Sequence, residues 1–182
     1  MKALAAKIRL SATDRSNHLA CRHVTTLDLR VARGEKRAPD WAAPHLVVIR
    51  ELGKQHETAY LDYLVQQKGV VVANLADIKD EKKVIEETLR LMKQGAEVIA
   101  QGALADGRWF GRPDVLRRVA KRTPNWDWAY EVADTKLAPE TKAATICSCR
   151  CTQSCLKRLR GVGRIGCRSF LLGKILRVKP IV

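Results

Sequence analysis

Asp134-Thr135-Lys136 closes an apolar run, and Pro113-Asp114 lies twenty residues before that acid. If the run is a β-strand, its side chains alternate, and Trp128, Tyr130, Val132, Asp134 and Lys136 share one face. A carboxylate and an ammonium then stand side by side, about 7 Å apart along the strand. On the preceding apolar run, Arg112, Asp114 and Leu116 point one way. Pairing the two runs would bring Asp114 and Asp134 within reach of one divalent cation. Hard carboxylate oxygens suit Mg²⁺ or Mn²⁺, which retain waters for chemistry. A neighbouring lysine can orient an attacking water or stabilise charge building on a phosphate. Taken alone, the D-x-K tripeptide reads first as a solvated ion pair.

Such a site needs strands to carry the acids and helices to cover them. Ser11 and Asp14 have capping-box spacing and open a helical stretch that Gly34 closes. Residues 35–44 are polar and contain proline, so they read as a loop. From 45 to 67 apolar residues recur at three- and four-residue steps, which predicts an amphipathic helix ended by Gly69. A short buried strand over 70–72 and a second amphipathic helix over 80–94, stopped at Gly95, follow. Three strands are expected at 97–104, 108–119 and 127–137, with Asp106-Gly107 as a hairpin turn. Helices followed by a three-strand meander indicate an α/β or α+β domain.

On the 45–67 helix, Ile49, Gly53, His56 and Tyr60 follow one stripe, so His56 faces inward. An inward histidine serves either as a packed core residue or as a ligand. Glu57 beside it could substitute or assist, although an exposed position is expected. Glu131 has the opposite strand parity from Asp134 and falls outside the expected metal shell. His18, Arg22 and His23, on the first helix, could contact nucleic acid or belong to the surface and core.

Together, Pro113-Asp114 and Asp134-x-Lys136 resemble the PD-(D/E)XK nuclease signature, and Gly53-Lys54-Gln55-His56-Glu57 resembles the Gly…His helix motif of its RecB-like branch. The opening around residues 10–35 and the fragments KQHETAYL, QGALADGRWFGRPDVL and YEVADTKLA are similar to nuclease modules at the N-terminus of bacterial nuclease–helicase fusions. The resemblance spans about residues 8–145. It implies a restriction-endonuclease-like core, a mixed sheet flanked by helices, and a metal-dependent deoxyribonuclease acting in DNA repair or recombination. It makes Asp114, Asp134 and His56 ligands of Mg²⁺ or Mn²⁺ and Lys136 the catalytic lysine, so that Asp114, Asp134 and Lys136 form the catalytic set. The partner is DNA. A helicase module is expected in relatives, but no G-x-x-x-x-G-K followed by Ser or Thr occurs here.

The charge is unevenly distributed. Of the 34 Lys and Arg, 9 lie in residues 145–182, along with none of the 19 acids and five of the six cysteines. The overall net charge of +15 favours an anionic partner, most simply nucleic acid. The break divides the chain into residues 1–144, a partial nuclease domain, and residues 145–182, a basic cysteine-rich tail. Gly161 to Gly166 spells G-x-G-x-x-G, but a cationic stretch precedes it where a nucleotide fingerprint needs a strand. Cys21 with Cys147, Cys149, Cys151 and Cys155 resembles, in outline only, an iron–sulfur branch of RecB-like nucleases. The C-x-C-x-C-x₃-C spacing differs from that branch, and a cluster is not expected.

RecB-like modules continue past the D-x-K strand into a helix bearing Q-x-x-x-Y, which this chain lacks. Shifting the reading frame from Ile146 permits that motif, and from Gly166 it permits a stretch with acids restored. The tail is therefore expected to be a frameshifted, non-native ending that leaves the C-terminal part of the core incomplete and the fragment poorly stable or inactive. No apolar run approaches the ~20 residues that span a bilayer, and a cytoplasmic protein is expected. The rival reading is a non-catalytic nucleic-acid-binding protein using Arg108, Arg112, Arg117, Arg118, Lys121 and Arg122 with Trp109.

Overall fold

The computed structural model describes residues 1–4, 7–40, 44–136, 167–171 and 174–178, with side chains for all but 67–68, 136 and the last two segments. Two short strands, β1 (Lys2–Leu4) and β2 (Lys7–Arg9), pair antiparallel ahead of the helices. Helix α1 (Ala12–Ala20) starts on the expected capping box: Asp14 N–H donates to the Ser11 hydroxyl, and the Asp14 carboxylate accepts the Ser11 N–H at 2.6 Å. The helix does not run on to Gly34. Cys21 adopts an extended backbone (φ −157°), and α2 (Arg22–Ala32) starts afresh beyond it. No glycine or proline marks that break, so apolar periodicity alone could not reveal it.

Helix α3 (Pro44–Lys68) and helix α4 (Glu81–Lys93) fall where the periodicity predicts them, with β3 (Val72–Asn74) between. Asp80 caps α4 by accepting the Lys83 N–H at 2.7 Å. Gly95 ends that segment at φ +73°, and a Cβ there would sit 3.1 Å from the Trp128 ring. Both the left-handed backbone and the close ring favour glycine.

The expected meander forms, though its first two strands are each divided. β4 (Val98–Ala100) and β7 (Val115–Val119) belong to the main sheet, while β5 (Leu104–Asp106) and β6 (Trp109–Gly111) form a separate hairpin between them. The hairpin turn is Gly107-Arg108, one residue later than expected, with Gly107 at φ +54°. β8 (Ala129–Lys136) completes the meander.

The six-stranded sheet has the order β10-β9-β8-β7-β4-β3, where β9 is Cys167–Leu171 and β10 is Lys174–Val178. β3 runs parallel to β4, β7 is antiparallel to both β4 and β8, and β9 is parallel to β8. Two strands of the acid-free tail thus join the main sheet. Cys147, Cys149, Cys151, Cys155, the Gly161–Gly166 motif and the position of the missing Q-x-x-x-Y helix lie outside the described residues.

Strand alternation builds two cores. Ile99, Leu116, Tyr130 and Val132 pack with Val84 and Met92 of α4 on one face. Val98, Val115 and Ala133 pack with Tyr60 and Leu64 of α3 on the other. The result is a mixed α/β architecture with a mixed sheet between helices. Among the described residues no helix is long and apolar enough to cross a membrane.

The cover is incomplete on α3 rather than on the strands. Leu46, Val47, Val48, Ile49 and Leu52 are all exposed, whereas Tyr60 and Leu64 near the other end are buried. The stripe from Ile49 to Tyr60 therefore faces inward only in its C-terminal part.

Candidate metal centre at one end of the sheet

Four segments meet where β4 ends and β7 begins: α3, Gln101, Asp114 and the end of β8. Val115 pairs with Ala133, and one more step along that ladder sets Asp114 opposite Asp134. The backbone ladder cannot continue past this point, because Pro113 has no N–H to donate. Asp114 closes it instead. Its Oδ2 accepts the Thr135 N–H at 2.8 Å and the Thr135 hydroxyl at 3.1 Å.

Asp134 is buried, at 5% exposure, and alternation sets it with Tyr130 and Val132 on the α4 face. Lys136 has the same parity at the end of β8. His56 and Glu57 stand one turn before Tyr60 on α3, which packs on the opposite face, with Val115 and Ala133. Two carboxylates are therefore neighbours in register while the histidine approaches from the other side of the sheet. Among the described residues no three His, Cys, Asp or Glu side chains gather closely enough to hold a metal ion. The donor types suit a hard divalent cation, but their arrangement does not fit a ready-made three-ligand site.

Sequence reasoning placed Glu57 on the surface. It is half-buried, and its Oε1 accepts a hydrogen bond from Gln101 Nε2. Gln101 itself carried no sequence signal. It has φ +54°, the sole positive φ at a non-glycine among the described residues. Its N–H donates to the Asp114 carbonyl at 2.8 Å, and its own carbonyl accepts Arg112 Nε at 3.2 Å. Arg112 also donates to the Leu75 carbonyl at 3.2 Å, tying the ends of β3 and β4 together. An unusual backbone angle beside an expected ligand is visible only in three dimensions. Glu131 is buried on the α3 face, away from Asp134, as strand parity requires.

The basic residues do not form one patch. Arg108 sits in the β5–β6 turn and Arg112 at the candidate site. Arg117 and Arg118 lie farther along β7, beside a cleft of about 390 Å³ that is also lined by Tyr60, Tyr63, Leu64 and Glu97. Arg118 donates to the Gly95 carbonyl at 2.6 Å and stands 3.7 Å from Glu97, so it serves the fold. Arg122 pairs with Asp127 at 2.8 Å, and Lys121 is exposed nearby. Trp109 is partly buried against the α4-side core. On the first two helices, His18 Nδ1 meets the Thr25 hydroxyl at 2.9 Å, and Cys21, Arg22 and His23 are exposed. No family model, curated protein or solved structure matches the chain.

Proposed function

We propose that residues 1–144 are a RecB-like PD-(D/E)XK nuclease module, a restriction-endonuclease-like core that acts on DNA phosphodiesters. The observation that carries this reading is the register of β7 and β8, which sets Asp114 opposite Asp134 with Lys136 two residues farther along the same strand. A chance D-x-K ion pair has no reason to face a second acid across a ladder end. The acidic neighbour of His56 is also tied to the residue that holds the Asp114 carbonyl.

In this reading the carboxylates of Asp114 and Asp134 would hold Mg²⁺ or Mn²⁺, which would supply an activated water. In that role Asp114 would ligate through Oδ1 or give up its Oδ2 hydrogen bonds with Thr135, and His56 would approach around the sheet end. Lys136 steadies charge on the phosphate. The mixed sheet between α3 and α4, with β3 parallel to β4, supports the core assignment. DNA as partner, a cytoplasmic setting and a missing helicase module belong to the same proposal.

The test is Mn²⁺ binding and cleavage of linear DNA by the purified chain and its variants. Asp134→Ala is expected to lower Mn²⁺ affinity at least tenfold and abolish any cleavage, with DNA affinity within about twofold, because a carboxylate repels phosphate and contributes no attraction to it. A wild-type chain that binds no Mn²⁺ at millimolar concentration, or an Asp134→Ala chain that still cleaves, overturns the assignment.

A further inference from the structure

We propose that Gln101 is a positioning residue that holds Asp114 and Glu57 at a set separation; the functional meaning of this rests on the nuclease reading above, while the structural claim does not. Three of its polar groups are each committed to a different neighbour. The side-chain amide donates to Glu57 on α3, the N–H donates to the Asp114 carbonyl at 2.8 Å, and the carbonyl accepts Arg112 at 3.2 Å.

The backbone at Gln101 occupies a region that residues with a Cβ rarely populate. A positive φ persists only where surrounding contacts hold it, and these three contacts are the ones available to do so. Releasing the amide from Glu57 lets φ relax to negative values, which turns the N–H away from Asp114. Asp114 is the residue that closes the β7–β8 ladder on Thr135, so the disturbance is read at Thr135. Glycine at 101 would tolerate the angle and asparagine would partly tolerate it, yet the chain uses glutamine, whose length reaches α3. A Cβ at the next residue, Gly102, would sit 3.2 Å from the Thr88 side chain, so the segment is bounded on its other side as well.

The experiment is site-resolved amide exchange on the metal-free 182-residue chain. Gln101→Glu places two carboxylates face to face and is expected to speed exchange at Thr135 at least tenfold, with Tyr130 and Val132 unchanged. Combining Gln101→Glu with Glu57→Gln restores a donor and an acceptor with their roles exchanged, and should return Thr135 to within about threefold of wild type. Gln101→Ala, which disfavours the positive φ and has no tether, should match the single Glu variant and serves if that variant fails to fold. Unchanged Thr135 exchange in the single variants, no rescue by the exchanged pair, or acceleration spread equally over Tyr130 and Val132 overturns the proposal. Mn²⁺ titration of the same proteins separates the two claims. A wild type without Mn²⁺ affinity removes the nuclease reading, while exchange at Thr135 still decides the role of Gln101.

Discussion

The carboxylate of Asp114 spans the gap that Pro113 leaves between β7 and β8 and takes both the amide and the hydroxyl of Thr135, at 2.8 and 3.1 Å. That bond pair competes with ligation of a cation by the same Oδ2. It also assigns Asp114 a structural duty, and the two duties separate by substitution.

Asp114→Asn keeps a neutral acceptor for Thr135, whereas Asp114→Ala removes it. Hydrogen bonds to a charged partner contribute about 1.5–3 kcal/mol. The alanine variant is expected to lose about 2 kcal/mol in urea unfolding and the asparagine variant about half of that. Both should lose Mn²⁺ binding to a similar degree. Equal stabilities would show that the ladder end does not depend on this side chain.

The first helix predicts an acid-sensitive contribution. Burial pushes the Asp14 carboxyl up, but hydrogen bonds from the Met1 amine and from the Ser11 N–H and hydroxyl, with the charge of that amine, outweigh it and leave the group below its ordinary value. A depressed folded pKa means that the stabilisation is present above the unfolded carboxylate value near 4. It is lost as pH falls through the folded value. Stability should therefore drop on acidification below about pH 4, and Asp14→Asn should flatten that part of the profile while costing about 1–2 kcal/mol at neutral pH. A parallel pH profile in the variant would contradict the assignment.

At the alkaline end, burial raises the Tyr130 phenol to about 12, against a smaller opposing effect of Arg118. Its hydroxyl donates to the Ala96 carbonyl at 2.8 Å and contacts the Met92 carbonyl at 3.5 Å. A raised folded value means that this contribution is complete below the unfolded value near 10 and is lost as pH rises through the folded one. Spectroscopic titration should show a tyrosine step near 12. Tyr130→Phe should abolish that late step and cost about 1 kcal/mol or more. A step near 12 that persists in Tyr130→Phe would contradict it.

The exposed apolar run on α3 predicts poor solution behaviour. Val47, Val48 and Leu52 are 59%, 60% and 47% exposed, so water contacts a contiguous apolar surface. Aggregation and a broad melt are expected for the chain. Replacing Val47 and Val48 by Lys and Glu should raise the soluble fraction and change unfolding free energy by no more than about 0.5 kcal/mol. A sharp cooperative melt in the unaltered chain, or a large loss of stability on replacement, would mean that this surface is covered in solution.

Local chemistry carried much of the architecture. The Ser11–Asp14 cap, the apolar spacing of α3 and α4, and the alternation of Tyr130, Val132 and Asp134 depend on short stretches of chain, and each appears where its residues indicate. The pairing that sets Asp114 opposite Asp134 was also foreshadowed, since two alternating strands joined by a turn have few registers that bury both apolar faces. What lay beyond the sequence depends on contacts between residues distant along the chain. The extended backbone at Cys21, the positive φ at Gln101 and the bond from Gln101 to Glu57 across 44 residues leave no local pattern. Nor does the side of the sheet from which α3 approaches. That choice buries Tyr60 and Leu64 against Ala133 and so sets His56 on the face that alternation denies to Asp134. Composition and spacing determined which residues could do chemistry, because side-chain type and strand period are properties of the chain itself. Only the packed tertiary structure decided which of them share a face, because that depends on where each helix finds apolar surface to cover.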